Sequence, residues 1–186
     1  MRLEEYIKKS PLYDKDKFIV LYRGVRKPKI LFIGEAPGKE ENKIGRPFIG
    51  RSGVLLDRWV ETYHLQNKYG ITNAVPLIPL TPLHAIRKPT TAEIEYFRPF
   101  LKHMINKYKP KLLILLGDSA TTSVLGKKIS EAKQGDHFME IKKGYKIPAA
   151  SIYHPAYYLR NGRDGLDDFG EIYENKILTW IPEIKE

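Results

Sequence analysis

The chain has 186 residues, 42% of them hydrophobic, enough for one domain with a real core and too few for two. It contains no cysteine, which excludes disulfides, thiolate metal sites and cysteine nucleophiles together. Its 32 basic residues against 22 acidic ones leave a net charge of +10, a balance that attracts polyanions such as nucleic acid and equally suits a lysine-rich, heat-adapted surface.

No apolar run approaches membrane-spanning length, and Met1-Arg2-Leu3-Glu4-Glu5 has no signal-peptide core, so the expectation is a cytoplasmic protein. Leu3 to Lys9 reads as a short amphipathic helix with Leu3, Tyr6 and Ile7 inward, ended by Ser10-Pro11. Asp14 to Lys29 is charged and partly extended around Phe18 to Tyr22. Ile30 to Ile33 then reads as a buried parallel strand, broken by Gly34 and the turn Pro37-Gly38. A long polar loop leads to Phe48, and a helix starts near Ser52 with Leu55, Leu56, Trp59, Val60 and Tyr63 on one face. The spacing of Gly34, Gly38 and Lys39-Glu40 rejects a P-loop, and no G-x-G-x-x-G follows the strand, so neither ATP nor NAD is supported.

Ile71 to Val75 reads as a second strand, cut by Pro76, and Pro76 to Pro89 is stiff and irregular. Thr90 and Glu93 form a capping box, behind which Ile94, Phe97, Leu101, Met104, Ile105 and Tyr108 repeat at helical spacing until Pro110. Leu112 to Leu116 is a third buried strand, and a short helix runs from Gly117-Asp118-Ser119 to Leu125. Gly126 to Gly135 is polar and reads as mobile, and Phe138 to Ile147 as a hairpin turning at Lys143-Gly144. Ala149 to Tyr153 is the last strand, His154 to Asn161 a loop, and Leu166 to Trp180 the final helix. Strands alternating with helices predict an α/β fold: a three-layer α/β/α sandwich around a mostly parallel, roughly four-stranded sheet, in a single domain over residues 1–186. The loops after Gly34, Asn73 and Tyr153 should converge on one side of that sheet.

The residues of those loops resemble the motifs of the family-4 uracil-DNA glycosylases. Gly34-Glu35-Ala36-Pro37-Gly38 with Gly45-Arg46-Pro47-Phe48-Ile49-Gly50 and Gly53 matches the first motif. Asn73, Leu116-Gly117 and His154-Pro155-Ala156-Tyr157 match the others in order, over roughly Leu12 to Asn161. The resemblance implies a DNA-repair enzyme that flips a deaminated base out of the helix and hydrolyses its N-glycosidic bond. Phe48 then supplies the aromatic face for the base, and Asn73, donor and acceptor at once, reads O4 and N3–H of uracil. Without the resemblance they read as a core phenylalanine and a turn asparagine. His154 would donate to O2 as the base departs with negative charge, joined by backbone N–H groups around Gly34 and Glu35. A histidine beside proline is otherwise a loop residue, and His64, His84, His103 and His137 read as structural.

Glu41 matches a loop acid that faces the pocket, where it would position water or test the base edge; Glu35 is the other catalytic carboxylate candidate, with Glu40 also close in sequence. Ala36 stands where a more active branch of the superfamily has a water-orienting aspartate, so no strong general base is expected. Tyr158 or Leu159 is the candidate wedge for the vacated stack, Arg160 a phosphate clamp, and Ser52 and Ser119 helix caps or phosphate ligands. No lysine has a Schiff-base context, so a monofunctional enzyme is expected. Family-4 enzymes hold an iron-sulfur cluster on cysteines, whose positions fall near Ile7, Ser10, Leu77 and Phe97, so no cluster and no metal is expected here. Expected partners are single- and double-stranded DNA carrying uracil, with the protein a monomer. The alternatives are a glycosylase for another deaminated base such as hypoxanthine, and a non-catalytic DNA-binding relative.

Overall fold

The computed structural model describes residues 2–185. Helix α1 (Leu3–Lys8) precedes a two-residue strand β1 (Arg23–Gly24), and β2 (Ile30–Gly34) enters the centre of the sheet. Helices α2 (Lys39–Ile44) and α3 (Arg51–Thr62) lead to β3 (Tyr69–Asn73), and the long α4 (Thr91–Tyr108) leads to β4 (Leu112–Leu116). After α5 (Asp118–Leu125) and α6 (Ile129–Ala132), β5 (His137–Lys142) turns directly into β6 (Tyr145–Ile152). Helix α7 (Pro155–Arg160) and α8 (Leu166–Ile172) follow, and α8 passes through a π-helical turn (Tyr173–Ile177) into α9 (Leu178–Trp180).

The six strands lie in the order β1-β3-β2-β4-β6-β5. The inner four, β3, β2, β4 and β6, are parallel, and the two edges are antiparallel. The expected four-stranded sheet is this inner set, with short edges added. Every residue of β2 and β4 is buried, as strands covered on both faces require. Alternate side chains divide between two cores. Leu31, Ile33, Leu113 and Leu115 meet α4, while Ile30, Phe32, Leu112 and Ile114 meet α3 and α8. On the second side Trp59 stacks on Phe169 with centroids 5.2 Å apart.

Several boundaries depart from expectation for local reasons. The extended reading of Phe18 to Tyr22 leaves only Arg23–Gly24 as strand, and the second strand ends at Asn73, with Ala74 and Val75 bonded to the carbonyls of Gly34 and Glu35. The polar loop before Phe48 contains α2, and the polar 126–135 stretch contains α6. The hairpin arm and the last strand are one strand, β6, which ends before Tyr153. The expected loop after His154 is helical because Pro155 occupies the first helical position, where its missing N–H costs nothing.

The positions that correspond to cluster ligands lie under α1 and α4. Ile7, Leu77 and Phe97 are fully buried hydrocarbon, and Ser10 Oγ is buried without a partner among the described residues. Three carbon side chains and one hydroxyl do not fit an iron-sulfur cluster. Instead Tyr6 and Tyr96 stack at 5.0 Å, and each hydroxyl donates to the other residue's backbone carbonyl. The edge of Phe97 closes against both rings. No described helix is long and apolar enough to cross a membrane.

Candidate active site

The parallel register sets Gly34 beside Asn73 at the carboxyl ends of β2 and β3, while β6 delivers His154 two strands away. The Phe48 ring bridges them. A Cβ on Gly34 would lie 2.3 Å from Phe48 Cε2 and 2.5 Å from Asn73 Oδ1, so only glycine admits this contact. On its other side Phe48 approaches His154, with ring centroids 5.5 Å apart.

Phe48 sits in this place at the cost of a left-handed backbone, φ 54°. Three neighbours hold it there. Arg23 donates from Nη2 to the Phe48 carbonyl at 3.1 Å and is itself paired with Asp57 at 2.9 Å. Gly53 leaves room for that carbonyl, since a Cβ there would fall 1.8 Å from the oxygen. Glu41 Oε1 accepts from the N–H groups of Ile49 and Gly50, both at 2.9 Å, and Oε2 accepts from Gly38 at 3.1 Å.

Asn73 is 1% exposed, and its Oδ1 has no hydrogen-bond partner among the described residues. A buried acceptor left bare costs about 1–3 kcal/mol, a deficit that a ligand donor would cancel. His154 caps α7, with Nδ1 accepting from the Ala156 N–H at 3.1 Å. That bond leaves the proton of the neutral ring on Nε2. Burial of the ring, aided by the charge of Arg160, pushes its pKa down to about 4, so at neutral pH it is an uncharged donor. Gly117, at φ 90°, lets the chain turn from β4 under His154, where a Cβ would stand 3.1 Å from the histidine Cβ.

These groups line a cavity of about 400 Å³ together with Ala36, Gly38, Gly50, Arg51, Ser52 and Ile86. Two smaller hollows of about 270 Å³ adjoin it through Ala156. One is bordered by Arg51, Ser52, Leu159 and Arg160. The other is bordered by Glu35, Lys88, Asp118, Tyr157 and Arg160.

Gly34, Ala36, Phe48, Asn73 and His154 thus meet, Glu41 and Ser52 line the same cavity, and the remaining candidates lie outside it. Glu41 borders the cavity, and both its oxygens are engaged by backbone N–H groups, an arrangement that braces the Phe48 loop. Glu35 faces the hollow beyond His154 and accepts from the Ser119 hydroxyl. Ser119 is therefore occupied and nearly buried, which corrects its assignment to phosphate. Tyr158 is fully buried, set edge-on to Trp59, and donates to Asp168 at 2.7 Å, so it cannot be the wedge. Leu159, Arg160 and Ser52 stay at the surface of the hollows. Ser52 does not cap α3, whose cap is Gly50. Sequence reasoning missed Arg23, Asp57 and Ile86. Arg23 and Asp57 pair across 34 positions, and Ile86 reaches the cavity only through the turn that bridges it to Leu80.

A slot lined by a phenyl face, an amide and a neutral imidazole, with Glu41 and Arg51 at its border, at the carboxyl ends of a parallel sheet in a basic protein, defines an α/β protein built to hold one planar polar heterocycle. The chain belongs to the Uracil DNA glycosylase superfamily, whose family model matches residues 22–176. It is similar to the type-4 uracil-DNA glycosylase of Thermotoga maritima, 32% identical over 86% of this chain and 82% of that protein. The enzyme of the same name from Saccharolobus solfataricus is 35% identical over 82% of this chain and 72% of its own length. That from Pyrobaculum aerophilum is 32% identical over 86% and 84% respectively.

Proposed function

We propose that this chain is a monofunctional uracil-DNA glycosylase of base-excision repair, acting as one unit over residues 1–186. The bare Oδ1 of Asn73 beside the Phe48 ring carries the reading, because uracil presents N3–H as the complementary donor. The extruded base stacks on Phe48, Asn73 Oδ1 accepts from N3–H, and Asn73 Nδ2 donates to O4. Neutral His154 donates from Nε2 to O2. As the C1′–N1 bond breaks, its electron pair enters the uracil ring, and the hydrogen bond to O2 strengthens with the growing charge. Water adds to C1′ and gives up its proton, which the uracil anion takes, leaving an abasic site. Ala36 offers no carboxylate to that water, and Glu41 is spent on the loop, so leaving-group stabilisation supplies the main acceleration.

Leu159 fills the gap in the stack, and Arg51, Ser52 and Arg160 hold phosphate around it. The substrate is uracil in single- or double-stranded DNA, and the protein acts as a monomer in the cytoplasm, where prokaryotic-type chromosomal DNA lies. The residues packed at Ile7, Ser10, Leu77 and Phe97 support an enzyme that works without an iron-sulfur cluster. Labelled oligonucleotides carrying uracil, hypoxanthine or no lesion, treated with protein and then alkali, test the proposal. Breaks only at uracil, lost in His154→Ala and Asn73→Ala, are expected. Breaks at hypoxanthine instead would reassign the base, and tight binding without breaks would make the protein a binding module.

A further inference from the structure

Within the proline-rich segment Pro76 to Pro89, expected to be stiff and irregular, residues 80–86 form a short bridged turn. Leu80 and Ile86 pair as an antiparallel bridge, Thr81 N–H donates to the Ala85 carbonyl at 2.8 Å, and His84 N–H returns to Thr81 at 2.9 Å. The Thr81 hydroxyl accepts from Ala85 as well. At the foot of this hairpin Arg87 grips both oxygens of Glu93, at 2.8 and 2.6 Å, and so anchors it to the start of α4. Leu83 stands at the apex and is 91% exposed. Ile86, half exposed, borders the base cavity, and Lys88 borders the hollow beyond His154.

A lone exposed leucine is ordinary. A leucine at the tip of a pre-ordered hairpin whose foot forms the rim of a nucleobase pocket is not. The hairpin follows β3 and Leu159 follows β6, with β2 and β4 between them in the sheet, so the two apolar points rise from different sides of the site. His84, Lys88 and Arg160 add donors for phosphate near both.

We propose that the hairpin Leu80–Ile86 is a second DNA-engaging element, and that Leu83 enters the base stack of duplex DNA beside the flipped nucleotide. Duplex is then held open from two sides, by Leu83 and by Leu159. Because the hairpin is already ordered, insertion loses little conformational freedom. A single strand has no opposing stack to hold apart, so Leu83 acts on duplex selectively. This inference rests on the glycosylase reading and deepens it.

The test compares kcat/KM on uracil in duplex with kcat/KM on the same strand alone, for the parent protein, Leu83→Ala and Leu83→Met. Loss of the buried apolar contact should lower the duplex-to-single-strand ratio about tenfold in Leu83→Ala, with recovery in Leu83→Met. A ratio equal to the parent's overturns the proposal. Affinity for a duplex with a tetrahydrofuran abasic analogue, with 2-aminopurine opposite, gives a readout free of chemistry. Leu83→Ala should bind more weakly and brighten the 2-aminopurine less, and parent-like values in both would again overturn the hairpin's role. A parent protein that releases no uracil from either substrate would refute the glycosylase reading, while the binding arm still decides the hairpin.

Discussion

The Phe48 ring rests on the backbone of Gly34, so close that any side chain at position 34 would occupy the same space. Gly34→Ala therefore pushes the ring out of the slot and crowds the Asn73 amide at the same time, since the added Cβ would stand 2.5 Å from its Oδ1. Misplacing a stacking group by about 1 Å costs on the order of a hundredfold in rate. Uracil release from single-stranded oligonucleotide should fall by that amount, with a retained far-ultraviolet circular dichroism spectrum as the check on folding.

His154 carries a pH signature. With its pKa lowered to about 4, the ring stays neutral well below the usual histidine range, so the acid limb of kcat/KM should lie near pH 4. His154→Ala should lose about a hundredfold or more in kcat. Arg160→Ala removes the charge that adds to burial in disfavouring protonation, and its acid limb should move upward. Stability follows the same group. Between the unfolded value near 6.5 and the folded value of about 4, the unfolded chain binds more protons. Stability contributed here is complete above that window and declines as pH falls through it. Urea titrations at pH 7 and pH 4.5 should show a smaller difference for His154→Ala than for the parent.

Asn73 should display a trade between stability and activity. Its uncompensated Oδ1 is a liability in the free protein, so Asn73→Leu should abolish uracil release yet raise Tm. A gain of about 1 kcal/mol corresponds to about 2–4 °C for a domain of this size. Asn73→Asp should instead gain some release of cytosine, because a carboxylate accepts from the exocyclic amine. A calorimetric scan and a cytosine-containing oligonucleotide check the two variants.

Glu41 separates a brace from a chemical base. Glu41→Ala frees the N–H groups of Gly38, Ile49 and Gly50, so unfolding should be easier by about 1–3 kcal/mol, with kcat/KM lowered through the loosened Phe48. Glu41→Gln keeps an acceptor oxygen and should recover a large part of both. A kcat collapse in Glu41→Gln at parental Tm would favour the catalytic assignment.

How much of this was legible in the chain depends on how local the cause is. Five apolar residues before Gly117 delimit β4 to the residue, and Thr90 with Glu93 marks the start of α4, because both signals lie within a few positions. Phe48, Asn73 and His154 are singled out by the resemblance of their loops to family motifs, and the fold then gathers those loops at the carboxyl ends of one parallel sheet. Helix α2 buries no residue and has no apolar stripe to announce it. The choice between Tyr158 and Leu159 turned on which neighbour meets Trp59, and the capture of Ser119 by Glu35 spans 84 positions. Contacts of that reach exist only once the chain is folded.

The stacked tyrosines that fasten α1 to α4 have a practical consequence. That corner closes with carbon rings and hydroxyls supplied by translation itself, so its assembly asks nothing of iron supply, sulfide or a loading apparatus. Air and chelators have nothing to act on in such a fastening.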